Sequence, residues 1–204
     1  MNGVELPRLG RQDVVSPERV PTETMKAKIC LVGEPAVGKS SLVRRFVFDQ
    51  WDSRYQPTLG AKVTKREVKF HVGDRPIHAI LTIWDIMGEP SFRELLREAY
   101  FSNIQGILAV GDVTRASTIS AVSDWISAAS RVSGPVPVVV LASKNDLDAE
   151  ADVRSLLNEV GNRWDAPRWF TSAKTGENVD LAFFTVADQI ARQGLRRSAT
   201  PSDP

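Results

Sequence analysis

Eight residues constrain this chain more than any others: GEPAVGKS at positions 33–40. They fit the pattern G-x-x-x-x-G-K-[ST]. They follow a short apolar run, KAKICLV (26–32), which reads as a buried strand. They open a segment that carries Leu42, Val43, Phe46 and Val47 at helical spacing. Strand, Gly-rich loop and helix N-terminus, in that order, make a cradle for phosphate. Backbone N–H groups along residues 35–40, all but Pro35, can point inward, and the helix dipole adds partial positive charge. Lys39 would reach the β- and γ-phosphates of a nucleotide, and the Ser40 hydroxyl would bind Mg2+.

The rest of the chain supplies the sheet that such a unit needs. AKVTKREVKFHV (61–72) alternates in polarity and is followed by the turn residues GDRP and then IHAILTIWD (77–85), which together read as a hairpin. GILAVGDV (106–113) and VPVVVLAS (136–143) are almost wholly apolar, as strands buried on both faces are. WFTSA (169–173) is a last short strand. Helical patterns near 91–101, 115–131, 150–160 and 178–192 separate these strands. The alternation predicts an α/β fold: a doubly wound, mostly parallel six-stranded sheet with one antiparallel edge strand and about five helices. Cys30, inside the first strand, reads as a small core residue. Trp125, Trp164 and Trp169 also read as packing residues.

Composition closes off other classes. Lys and Arg number 26 against 25 Asp and Glu, too even for a strongly basic nucleic-acid binder. One cysteine and two histidines exclude an intramolecular disulfide framework and argue against a zinc site. No run approaches the ~20 apolar residues that span a bilayer, and the N-terminus has no secretory apolar region. Residues 1–25 and 194–204 read as disordered arms around a domain at 26–193. The segment GLRRSATPSDP holds no cysteine for prenylation, and Gly stands at position 3 rather than 2, which fails the myristoylation pattern. The expectation is a cytoplasmic monomer without a lipid anchor. Membrane association would be at most transient, through Arg192, Arg196 and Arg197, a poor anchor.

Four further segments stand in order after the phosphate loop: QPTLG (56–60), WDIMGE (84–89), SKND (143–146) and TSAK (171–174). With YFSNIQGILAVGDVT (100–114), they make the chain resemble the Ras-like small GTPases, most closely the Rab-type branch, across residues 26–193. The resemblance implies the G domain of a P-loop NTPase that binds GTP and GDP with Mg2+ and hydrolyses GTP slowly. Effector, exchange-factor and activating proteins would then bind through residues 51–60 and 85–101. The implied nucleotide contacts are Gly33, Pro35, Ala36, Val37, Gly38, Lys39, Ser40 and Ser41 in the loop. Around the base they are Ser143, Lys144, Asp146, Ser172, Ala173 and Lys174, with Trp51 at the base edge or in the core. Thr58 and Asp85 would join Ser40 on the metal, and the N–H of Gly88 would meet the γ-phosphate. Lys39, Thr58, Gly88 and Glu89 form the implied catalytic set.

The sequence departs from the family at telling positions. Glu89 stands where a water-positioning Gln is usual. An ionised Glu accepts hydrogen bonds but donates none, and it adds charge beside a polyanion. Pro35 removes one donor from the phosphate loop. Ser143 replaces the commoner Asn, and Ile86 and Met87 are bulkier than usual. Arg54 could supply a positive charge in cis, or be a solvated surface residue. Two alternatives stay open: a GTP-holding interaction module with negligible turnover, and an ATP-using P-loop enzyme, against which SKND and TSAK argue.

Overall fold

The computed structural model describes residues 21–54, 58–88 and 97–199. In chain order the elements are β1 (Glu23–Val32), α1 (Lys39–Phe48), β2 (Ala61–Val72), β3 (Arg75–Ile86), α2 (Arg97–Phe101) and β4 (Gly106–Asp112). They continue with α3 (Ala116–Ser133), β5 (Val138–Ser143), α4 (Val153–Arg163), β6 (Arg168–Thr171) and α5 (Val179–Ala199). The sheet order is β2-β3-β1-β4-β5-β6. Only β2, on the edge, runs antiparallel to its neighbour; every other pair is parallel.

Side-chain alternation divides the core between the two faces of the sheet. In β1, Ile29 and Leu31 join Leu81, Ile83, Leu108 and Val110 beneath α1 and α5, where the rings of Phe46 and Phe183 stack with centroids 3.9 Å apart. Cys30 and Val32 point the other way, toward Ile107, Ile119, Val122, Trp125 and Leu157 under α3 and α4. β4 and β5 are buried at every residue, because helices cover both of their faces. Burial pushes the Cys30 thiol up to about 12, in keeping with an inert core residue. Among the described residues, no helix is long and apolar enough to cross a membrane.

The first strand and the last helix run past the residues expected for them. β1 begins at Glu23, not Lys26, because Glu23, Thr24 and Met25 pair with Ile77, His78 and Ala79. Twelve-residue β3 offers ladder positions that Glu23 and Thr24 fill while exposed, and Met25 packs partly against the core. At the other end α5 runs to Ala199, past the helical pattern expected near 178–192. Nothing in GLRRSA stops a helix firmly. β5 starts at Val138 rather than 136, since Pro135 and Pro137 cannot donate to the ladder. Of the helix expected over 91–101, Arg97–Phe101 is observed, and 91–96 lie outside the described residues.

The parallel strands β1, β3, β4 and β5 bring Gly33, Asp85, Asp112 and Ser143 to one edge of the sheet, the carboxyl edge where ligands bind in such folds. The ring pair under α5 should be a keystone of this arrangement. Phe183→Ala removes a fully buried ring and is expected to cost ~3–5 kcal/mol. Urea unfolding followed by circular dichroism measures it, and a loss below ~1 kcal/mol would contradict the packing described.

Candidate functional site

The phosphate loop is shaped by where its carbonyls go. Lys39 is only 6% exposed, and its Nζ donates to the carbonyls of Gly33 at 2.7 Å and Glu34 at 2.9 Å. Arg115 donates to the Pro35 carbonyl at 2.9 Å, and the Ser143 hydroxyl donates to the Val37 carbonyl. With its carbonyls drawn to groups around it, the loop can turn N–H groups to the cavity it encloses. The tight path needs left-handed backbone at Ala36 (φ 60°) and Gly38 (φ 101°). Burial lowers the Lys39 pKa to about 8, only partly opposed by the nearby Asp85 and Glu34 carboxylates.

Two chain segments close over the loop. Gly88 packs so tightly that an added Cβ would lie 2.5 Å from the Glu34 carbonyl carbon and 2.6 Å from the Pro35 nitrogen. Only glycine permits that approach. The Met87 N–H donates to the Gly60 carbonyl at 2.9 Å, which joins the end of one segment to the start of the other. Between them, three oxygen-bearing side chains meet. Ser40 Oγ lies 2.5 Å from Asp85 Oδ2 and 3.0 Å from Thr58 Oγ1. The second carboxylate oxygen, Asp85 Oδ1, is buried and finds no hydrogen-bond partner among the described residues. Burial raises the Asp85 pKa, opposed by the Ser40 hydrogen bond and the Lys39 charge. One carboxylate and two hydroxyls, all hard oxygens beside a phosphate loop, suit Mg2+ and not a thiophilic metal. An orphaned buried carboxylate oxygen is what such a cation would satisfy.

The far end of the cavity is walled by two loops laced together. Lys144 takes left-handed backbone (φ 64°) at the end of β5. Asn145 N–H donates to the Thr171 carbonyl at 3.0 Å, and its side-chain amide donates to Glu177 at 2.9 Å. Ser172 Oγ donates to Asp146 Oδ1 at 2.6 Å and fixes the carboxylate plane. Arg45, on α1, donates to the carbonyls of Ala173 and Lys174, each at 2.7 Å, and holds that loop to the helix of the phosphate loop. The Lys174 ammonium lies 5.8 Å from the Trp51 ring centroid. Trp51, Lys144, Asp146 and Lys174 line the same cavity, of about 630 Å3, as Lys39, Ser40 and Thr58. That volume suits a small organic ligand.

A phosphate cradle and a slot bordered by Trp51, Lys144, Asp146 and Lys174 thus share one cavity. A model of the Ras family matches residues 28–192. The chain belongs to the Ras family. It is similar to "GTP-binding protein ypt5" of Schizosaccharomyces pombe, 32% identical over 171 residues, covering 82% of this chain and 79% of the relative. "Ras-related protein Rab-13" of Rattus norvegicus is 33% identical over 180 residues, covering 87% and 86%. "Ras-related protein Rab-22A" of Homo sapiens is 30% identical over 190 residues, covering 87% of this chain and 94% of the relative. The chain is therefore a Ras-like small GTPase of the Rab branch, similar to Rab and Ypt proteins.

Most of the residues singled out in the sequence of this small GTPase come together. Pro35 through Ser41, Trp51, Thr58, Gly88, Ser143, Lys144, Asp146, Ala173 and Lys174 all border the cavity. Three stand behind it. Gly33 presses on the backbone of β4, where an added Cβ would meet the Val110 carbonyl oxygen; Ser172 orients Asp146; and Asp85 borders a neighbouring cavity of about 270 Å3. Glu89 lies outside the described residues. Trp51 is 42% exposed at the cavity mouth, which decides against the core for it. Arg54 also borders the cavity, but its guanidinium is clasped by Asp52 at 2.9 Å.

Sequence reasoning missed a supporting set. Asp112 is buried and bonded to Lys144 and Arg115; Glu34 accepts from the Trp125 indole at 3.1 Å. Asp112 carried a usable signal, an acid ending an otherwise apolar strand. Lys39 supplies a pH test. Its pKa is near 8 without ligand and must rise when phosphate arrives, so binding takes up a proton. Affinity for GDP is expected to be full below about pH 8 and to fall above it, by up to about tenfold per pH unit. Titrating the nucleotide-free protein across that range checks this, and a flat profile through about pH 9 would contradict it.

Proposed function

We propose that this chain is a cytoplasmic, Mg2+-dependent guanine-nucleotide switch that hydrolyses GTP slowly to GDP and phosphate. The observation that carries the reading is the meeting of Ser40, Thr58 and Asp85, which come from three separate segments of the chain. A bound Mg2+ would offset charge on the β- and γ-phosphate oxygens. Ser40 and Thr58 would hold it directly and Asp85 from behind. Lys39 would carry its ammonium to the β- and γ-phosphates, and the loop amides would hold the remaining oxygens. Thr58 and Gly88 would close on the γ-phosphate; its loss would release both segments, which is the switch.

At the other end, Asp146 would accept the two guanine N–H donors that adenine does not present in the same places, a filter by polar complementarity. Lys144 and Trp51 would flank the base, and the Ala173 N–H would meet the guanine oxygen. Leu59 is 87% exposed beside Thr58, so a partner at residues 51–60 would meet apolar surface whose position depends on the nucleotide.

Hydrolysis is the step this sequence weakens. Glu89 can accept from an attacking water but, ionised, cannot donate to the γ-phosphate as Gln does. Pro35 removes a donor from the loop, and Met87 borders the cavity beside Gly88. These features also favour a second reading, a GTP-holding interaction module with negligible turnover. Single-turnover hydrolysis of bound GTP separates the two. The native protein is expected to turn over slowly and Glu89→Gln at least about tenfold faster, a barrier change of ~1.4 kcal/mol. No acceleration in the variant would sink the argument from Glu89, and GTP that persists in both proteins would favour the interaction module.

A further inference from the structure

Asp112 ends β4 with its carboxylate 1% exposed, a place where an unpaired charge is costly. It is not unpaired. Oδ1 accepts from the Thr114 N–H at 3.0 Å and the Thr114 hydroxyl at 2.8 Å. Oδ2 accepts from two cations: Lys144 Nζ at 2.6 Å and Arg115 Nε at 3.2 Å. Burial alone would raise the Asp112 pKa, but the bonds from Lys144 and Thr114 outweigh it and hold the carboxyl below its usual range. The two cations lead to opposite ends of the site. Lys144 belongs to the loop that would read the base, and it borders the cavity while its ammonium is held at Asp112. Arg115 reaches the other way, with its terminal nitrogen on the Pro35 carbonyl of the phosphate loop. Its backbone is fixed too, since the Arg115 N–H donates to the Asp112 carbonyl at 3.0 Å and the Thr118 hydroxyl donates to the Arg115 carbonyl at 2.7 Å.

We infer that Asp112 is a shared positioning residue: one carboxylate oxygen sets both the phosphate loop, through Arg115, and the base-side lysine, Lys144. This rests on the guanine-nucleotide reading of the cavity and adds a coupling between its two ends. Because one oxygen serves both cations, losing either one releases the carboxylate from its set position and loosens its hold on the other. The second loss then removes less than it would alone. Groups that share a partner in this way give non-additive effects, whereas independent sites multiply.

The test is a double-mutant cycle on the full chain loaded with fluorescently labelled GDP in excess Mg2+, with the dissociation rate read on adding unlabelled GDP. Arg115→Gln is expected to raise the rate about threefold and Lys144→Met about tenfold or more. The double variant is expected to fall short of the product of the two by at least about threefold. Asp112→Asn keeps the shape and removes the charge, and with Arg115→Gln added on top it should show little further change. A merely structural role would lower the thermal midpoint and leave the effects on dissociation multiplicative. A double variant at or above the product overturns the inference, and that readout stands even if Asp112→Asn fails to fold. Failure of the native chain to hold labelled GDP would instead overturn the guanine-nucleotide reading beneath it.

Discussion

The structure depends on a cation kept where cations are expensive. Lys39 carries its ammonium into a nearly closed site, and it remains there because the Gly33 and Glu34 carbonyls receive it. That pair of bonds curls the phosphate loop. The curl forces left-handed backbone at Ala36 and Gly38, and it brings Glu34 and Pro35 close enough to Gly88 that no side chain fits there. Burial lowers the lysine's pKa, which leaves a charge in want of a counter-ion. An anionic ligand is the natural partner, and the loop surrounds the place where it would sit.

The sheet makes this loop possible by holding its back. Gly33 rests on the β4 backbone, Ser143 on β5 ties Val37, Arg115 after β4 ties Pro35, and Trp125 on α3 ties the Glu34 carboxylate. Each tether comes from a different part of the chain, so the loop's geometry belongs to the whole fold. The base side follows the same design. Arg45, on the helix that begins at the phosphate loop, reaches the carbonyls of Ala173 and Lys174, so the slot is built on the cradle. A ligand that fills both ends would bring together segments far apart in sequence, as a switch requires.

How much of this was legible in the sequence varied with how local the physics is. β4 and β5 were plain because burial on both faces leaves almost unbroken apolar runs. The antiparallel edge was plain because β2 alternates and a Gly-Asp turn follows it. The start of β1 was not, since Glu23 and Thr24 are exposed strand residues held by the ladder with β3 and, at Glu23, by an ion pair with Arg75 at 3.0 Å. The end of α5 was missed because polar helix formers carry no stop signal. Within the site, loop residues were found by their pattern, and Thr58 and Asp85 by resemblance. Asp112 was marked only as an acid ending an apolar strand, and the partners that tie it and Arg115 to the site, Lys144 and Pro35, lie 32 and 80 residues away, beyond any local pattern. Trp125 was read as packing, which it is, but its indole N–H also serves Glu34.

The central claim is that one cavity recognises guanine nucleotide through Lys39 at one end and Asp146 at the other. The most direct measurement is the identity of the nucleotide that leaves the freshly purified protein on denaturation, separated by chromatography. The account predicts GDP or GTP in near-stoichiometric amount. Adenine nucleotide, or a protein that carries none and takes up neither GDP nor GTP when reloaded with Mg2+, would contradict it.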